Sequence, residues 1–300
     1  MALFKKNYRE TTSRRVFKVV NYLFCVLVAC LCLFPMLHIL ALSFSKAEYV
    51  NANRVVLWPI GFNIRAYTDL LENAQFFASM WISVKRVALG LVVNMTMVIC
   101  AGYPLSLSKK KFAGRQFYAW YFIFSMLFSG GLIPTYLVVS ATGLRNTLWA
   151  LILPGAVVVS NVILLQNFIK ALPEEISEAA FVDGAGHLRT MFQIILPLCK
   201  PSLAAISLFV MVGHWNEWFN GIIYMNRTEM YPLQSFLQTQ ITDFTNVEIS
   251  QAVLEAEADR AAAASNRAAQ MFLAMLPILC IYPFLQKHFT KGIVMGSVKG

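Results

Sequence analysis

An all-α membrane protein with six transmembrane helices is the fold class this sequence predicts, and three observations carry the prediction. The first is composition: 58% of the 300 residues are hydrophobic and 13% charged, far from the balance of a soluble domain. The second is where charge is missing. Val19–Ser45, Val87–Ser108, Gln116–Leu144, Asn146–Ile169, Pro201–Asn216 and Ala268–Gln286 hold no Asp, Glu, Lys or Arg. A helix crosses the hydrocarbon core with about 20 apolar residues, and the fifth stretch reaches that length past one acid, Glu217, to Asn226. The third is charge placement. With both termini cytoplasmic, the inner segments hold Lys5, Lys6, Arg9, Arg14, Arg15, Lys18, Lys109, Lys110, Lys111, Arg115, Lys170, Arg189, Lys200, Lys287, Lys291 and Lys299, sixteen of the 25 basic residues. Such an inward bias sets membrane orientation. The net charge of +10 therefore reads as topology rather than nucleic-acid binding.

The elements follow in order. Residues 1–18 form a basic cytoplasmic tail against anionic headgroups, and residues 19–290 a single six-helix membrane domain. The first span is too long for a signal-peptide core and lacks a small-residue cleavage site, so it is retained. Pro35 kinks it, and His38 is an interfacial or bundle-facing polar group. Residues 46–80 lie outside, where Trp58-Pro59 and the amphipathic run Ile64–Phe77 suit the interface, as do Lys85 and Arg86 at the mouth of the second span. That span closes at Tyr103-Pro104 and the basic turn Lys109–Arg115. The third contains Ser129-Gly130-Gly131-Leu132-Ile133-Pro134. A broken helix is tolerated in a membrane only where its freed backbone is buried or wet, so Gly130, Gly131 and Pro134 are expected to face a path or a neighbouring subunit. Pro154-Gly155 breaks the fourth span in the same way. A cytoplasmic loop covers about 171–200 and an outer loop about 227–267. The outer loop turns Ala-rich and helical from about Ala252, with Glu255, Glu257 and Asp259 keeping it polar. The sixth span carries Pro277 and Pro283, and 291–300 is a cytoplasmic tail. The six cysteines (Cys25, Cys30, Cys32, Cys100, Cys199, Cys280) lie in spans or on the inner side, which suits packing rather than a disulfide framework.

The cytoplasmic loop is the most informative stretch. Glu174, Glu175 and Glu178 fall in the first turns of a short helix, where the helix dipole favours negative charge. Ala179 and Ala180 are strong helix formers that let another surface approach closely. Gly184 and Gly186 then offer a stop and a turn, and a second helix from about Leu188 meets Pro197. The product is a small-residue knob projecting into the cytosol. Glu178, Ala179, Ala180, Asp183, Gly184, Ala185, Leu196 and Pro197 resemble the EAA motif of binding-protein-dependent ABC importer permeases. In that family this loop is the coupling helix that inserts into a cleft of the ATPase subunit. The resemblance extends through Phe128–Pro134, Asn146–Gly155, Gly213–Asn216 and Tyr282–Lys287, which are similar to the LplC/YtcP type of complex-sugar permease, akin to the maltose-system inner-membrane subunit. It implies a type I importer fold in a bacterial plasma membrane and a second homologous permease subunit. It also implies paired ATP-binding subunits that hold ATP and magnesium, an extracellular solute-binding protein, and alternating access driven through the Ala179–Ala180 knob. The 227–267 loop would touch the binding protein and the 291–300 tail would approach the ATPase pair; the Ala-rich run 252–269 matches no motif of the family.

What is absent narrows the function further. The sequence has no P-loop, no complete dinucleotide fingerprint at Gly184-Ala185-Gly186, no H-E-x-x-H and no paired-cysteine ligand spacing, and its four histidines are scattered. No catalytic residue, metal site or cofactor is expected on this chain. The clearest intramembrane polar cluster is His214, Trp215, Asn216, Glu217, Trp218 and Asn220. Glu217 lies about 24 Å along the helix from Pro201. On a continuous helix Asn216 and Asn220 would share a face, with Trp215 beside Trp218. Amides bond sugar hydroxyls and indoles stack on sugar rings, so the set suits a hydrated carbohydrate. The alternatives are an outer aromatic belt at this cluster, a non-sugar cargo such as an amino acid or peptide, a proton-coupled transporter relying on Glu217, and a scaffold without transport.

Overall fold

The computed structural model describes residues 11–247, 264–281 and 283. In chain order its helices are α1 (Thr12–Ser43), α2 (Ala47–Asn51), α3 (Arg65–Glu72), α4 (Ala74–Ser106), α5 (Arg115–Leu127) and α6 (Leu132–Ala141). Two 3₁₀ turns, Leu148–Leu151 and Leu153–Gly155, lead into α7 (Val159–Lys170) and α8 (Glu174–Val182). Next come α9 (His187–Thr190), a π-helical turn at Met191–Ile195, α10 (Leu196–Leu198), α11 (Lys200–Asn216), α12 (Phe219–Tyr224) and α13 (Leu233–Val247). The last described helix is α14, Ala264–Ile281. Among the described residues α1, α4 and α14 are each long and apolar enough to cross a membrane. Three bent pairs reach that length together: α5 with α6 at 113°, the 3₁₀ pair with α7 at 52°, and α9–α10 with α11 at 84°.

The bends have local causes. Between α5 and α6 the chain leaves helical geometry at Phe128, and Gly131 takes φ +87°, a region glycine enters without penalty. Ser129 Oγ accepts the Gly131 amide at 3.2 Å. Pro134 sits in the first turn of α6, where proline is tolerated, so the glycines make this break and the proline does not. Pro35 and Pro104, by contrast, lie inside helices that continue through them. Three expected boundaries shift. α1 already begins at Thr12, so Arg14, Arg15 and Lys18 ride on it rather than in a tail. The Ile64–Phe77 run splits at Asn73, whose side chain accepts the Phe76 amide at 3.0 Å and starts α4. The stretch after Arg227 carries α13, while residues 248–263, Tyr282 and 284–300 lie outside the described set.

The chain divides into two compact units, one of Met1–Glu72 with Gln251–Phe272 and one of Asn73–Ser250 with Leu273–Gly300. In the first, α1 exposes apolar side chains from Val16 to Leu37, as a lipid-facing helix does. Its end is pinned by hydroxyls: Ser45 Oγ donates to Ala41 O at 2.7 Å and accepts the Ile60 amide at 3.0 Å. Phe44 stacks on Tyr67 and Phe62, and His38 Nδ1 lies 2.6 Å from the Val56 carbonyl.

In the second unit α4 is the spine, packed on α7 and α11. Its buried stripe runs Ser79, Ser83, Arg86, Gly90, Asn94, Val98 and Gly102, the i, i+3, i+4 spacing of one helix face. That face is mostly small or polar, while its lipid-type residues Trp81, Leu89 and Val92 point outward. Toward the loop at 171–200 the core turns apolar, with Val98, Val162, Leu165, Ile195 and Ile206 all within 2% of full burial. Gly102 brings α4 against Leu165, whose Cδ2 lies 3.2 Å from where a Cβ would sit.

Candidate functional site

The polar stripe of α4 meets the broken segments of two bent helix pairs, and its side chains complete their backbones. Asn94 Nδ2 donates to Gly155 O at 3.3 Å. Arg86 Nη2 donates to Leu151 O at 3.3 Å, and Nη1 to Glu217 O at 2.9 Å. The same guanidinium pairs with the Glu217 carboxylate, Nη2 to Oε2, at 2.6 Å. The other oxygen, Oε1, accepts the Asn220 amide at 2.8 Å where α12 begins. Freed carbonyls and amides in an apolar setting need such partners. Between these groups lies a cavity of about 560 Å³. Its polar lining is Arg86, Asn94, Ser160, Asn161, His214, Glu217 and Asn220.

Of the expected path residues the structure brings His214, Glu217 and Asn220 together here. It does not bring the rest. α11 ends at Asn216 and Glu217 has ψ 118°, so no continuous helix face joins Asn216 to Asn220 or Trp215 to Trp218. Trp215 is buried, donates from Nε1 to Ala274 O at 3.1 Å, and lines a separate apolar cavity of about 290 Å³ with Val84, Leu208 and Pro277. Trp218 is 41% exposed. Gly130 and Gly131 are exposed on another element, and neither they nor Pro134 lines the cavity. Lys85 is exposed, with Nζ 6.0 Å from the Trp81 ring centroid. The interfacial assignment fails for Arg86, which is 1% exposed. Arg86, Asn94, Ser160 and Asn161 were not legible as cavity residues; for Arg86 and Asn94 the one available signal was the helical spacing of the small and polar positions in α4.

His214 packs edge-on against Gly90. A Cβ there would overlap His214 Nε2 and come within 2.6 Å of Cδ2. Gly90→Val should therefore push the imidazole out of place at an overpacking cost of about 1–3 kcal/mol. The check is transport in a variant that still inserts and assembles, where a loss is expected; parent-level uptake would show that the approach is not needed.

The loop at 171–200 closes on itself as a helix terminus. α8 ends at Val182, and Gly184 takes φ +78°. The Ala185 amide donates to Ala180 O at 2.9 Å and the Gly184 amide to Phe181 O at 3.0 Å, the paired bonds of a Schellman cap. Ala179 is exposed, but Ala180 and Ala185 are buried at 5% and 9% exposure. This corrects the expectation that both alanines of the knob face outward: Ala180 packs into its own chain. The outward surface is carried by Val182, Asp183, Gly184 and Leu188, with Val182 87% and Leu188 71% exposed. Leu196 is buried and Pro197 exposed in α10. Two contacts tie the loop to the foot of α4 and the basic turn: Tyr103 Oη lies 3.3 Å from His187 Nδ1, and Lys111 Nζ lies 3.7 Å from Glu178 Oε1.

Residues 98–295 match the family described as binding-protein-dependent transport system inner membrane component. The chain is 39% identical to Protein LplC of Bacillus subtilis (strain 168), over 97% of each chain. It is 35% identical to the polygalacturonan/rhamnogalacturonan transport system permease protein YtcP of the same organism, over 96% of this chain and 100% of that one. Among solved structures, a chain from a bacterial ABC transporter involved in the import of the acidic polysaccharide alginate is similar with TM-score 0.83 and 27% identity, covering 94% of this chain and 100% of that one.

Proposed function

We propose a carbohydrate-importing role from one premise: the chain belongs to the family of binding-protein-dependent transport system inner membrane components. It is a multi-pass protein of the cell membrane and a permease subunit of an ABC importer. In this reading each bent pair counts as one span, giving six in a type I importer fold with both ends in the cytoplasm. A second permease completes the path, paired ATPase subunits hold the ATP and magnesium, and an extracellular binding protein delivers the cargo. The chain itself catalyses no reaction. An oligosaccharide is the cargo class, supported by the polysaccharide systems that YtcP and the alginate importer serve and by an amide- and hydroxyl-bearing cavity.

The observation that carries the coupling half of this reading is the capped α8 loop, which offers exposed Val182 and Leu188 around a left-handed Gly184. No atom lies within 4 Å of where a Gly184 side chain would begin. Gly184→Asp should then leave the fold intact, at about 1 kcal/mol of backbone strain, while placing a charge on the docking face. Co-purification from native membranes should recover an ATPase and a second permease with the parent chain. The variant complex should lose oligosaccharide-stimulated ATP hydrolysis, and normal stimulation would remove the docking assignment. Uptake that persists after ATP depletion would favour a proton-coupled carrier, and stimulation by amino acids or peptides alone would replace the cargo class.

A further inference from the structure

We propose that Arg86 is a positioning residue of the cargo path, acting through Glu217. The inference rests on reading the 560 Å³ cavity as that path. Arg86 is 1% exposed, and Nη1 and Nη2 are already committed to three oxygens on two other segments. It is therefore not a group that greets cargo. What it holds is the junction of α11 and α12. Glu217 is the residue at which the helix opens, with ψ 118°, and both its carbonyl and its carboxylate are fixed by the one guanidinium. Its remaining carboxylate oxygen fixes the Asn220 amide, so the position of Asn220 on the cavity wall passes back through Glu217 to Arg86. The bond to Leu151 O sets the 3₁₀ break before α7 against the same group, and Asn94 repeats the device about two turns along α4 at Gly155.

A planar fork with diverging N–H donors can serve two carbonyls and a carboxylate at once; an ammonium offers a single point charge. The charges also cancel inside the cavity wall. Among the described lining residues Arg86 and Glu217 are the one Lys or Arg and the one Asp or Glu, so the wall presents hydroxyl, amide and imidazole groups rather than a net charge. Mere charge compensation and positioning make different predictions. Replacing both partners of a buried pair by apolar residues restores stability when compensation is all that matters, but it leaves the Leu151 and Glu217 carbonyls and the Asn220 amide without fixed partners.

The test uses the assembled complex in proteoliposomes with its binding protein. The probe is a pool of malto-, arabino-, galacto- and galacturono-oligosaccharides. Arg86→Met should melt well below the parent. Arg86→Met/Glu217→Met should recover most of that loss, short of the parent by the backbone groups left unpaired, yet import with kcat about tenfold lower or more, at an unchanged KM for the binding protein. Uptake by the double variant at the parent rate would overturn the proposal and reduce the pair to charge compensation. If the double variant fails to assemble, Arg86→Lys decides: a lowered kcat at the parent melting temperature supports positioning, and parent kcat overturns it. No uptake of any glycan by the parent would instead sink the carbohydrate reading, and this proposal with it.

Discussion

Ala180→Arg should abolish coupled transport, with oligosaccharide-stimulated ATP hydrolysis lost and the ATPase absent from the purified complex. Ala180 is 5% exposed and its carbonyl accepts the Ala185 amide at 2.9 Å. An arginine there must either bury a guanidinium or swing the loop away from α9. The first choice costs several kcal/mol, and the second opens the Schellman cap. Either outcome displaces Val182 and Leu188 together, because the cap sets the angle between α8 and α9. Ala179→Arg is the informative companion. Ala179 is exposed, so its arginine stays in water and the loop keeps its shape. ATPase binding should still fail, now through a bulky charge on the docking face alone. If Ala180→Arg retains the ATPase and couples normally, the loop is not the power link.

These two alanines mark the limit of what the sequence revealed about the loop. Helix, stop and second helix were legible because glutamates, alanines and a glycine each have a local preference, and Gly184 does take the left-handed turn. Which alanine faces inward depends on packing against the rest of the chain, which no local preference encodes. The same division holds in the membrane. The breaks at Gly130-Gly131 and Pro154-Gly155 could be read directly, since the backbone cost of those residues is intrinsic. His214, Glu217 and Asn220 could be picked out as polar groups in an apolar run.

Arg86 could not. Next to Lys85 and one turn after Trp81 it has the sequence surroundings of an interfacial cation, and its partner Glu217 is 131 positions away. The error at Asn216–Trp218 has the same root. A continuous helix was the sound local expectation, and the tertiary bonds from Arg86 to Glu217 hold an extended residue there instead. The α4 stripe of Ser79, Ser83, Gly90 and Asn94 did leave a trace, a helical period of small and polar residues inside an apolar stretch. In a membrane helix that period marks the buried side, the inverse of the rule for soluble helices.

Gly221→Val should cost about 3 kcal/mol or more of stability, from overpacking and a broken hydrogen bond. A Cβ on Gly221 would overlap Ser235 Oγ and stand 2.8 Å from Ser235 Cβ and 2.9 Å from Pro232 Cδ. Neither neighbour can yield cheaply. Ser235 is fully buried and donates to Trp218 O at 2.6 Å, and the adjoining Leu233 amide is bonded to Ser83 Oγ at 2.7 Å. The clash would therefore separate α12 from α13 or pull α13 off α4, and the melting temperature of the assembled complex should fall by on the order of 5–10 °C. Gly221→Ala should fall less, and Ser235→Gly in that background should recover part of the loss by returning the space. An unshifted melt in Gly221→Val would mean that α12 and α13 are not packed as described. The consequence reaches the cavity, because α12 carries Asn220 in its first turn, and Glu217 holds the Asn220 amide. A strut that fails at Gly221 should loosen the wall even with Arg86 in place, so import should fall with stability here, whereas at Arg86 the two can be separated.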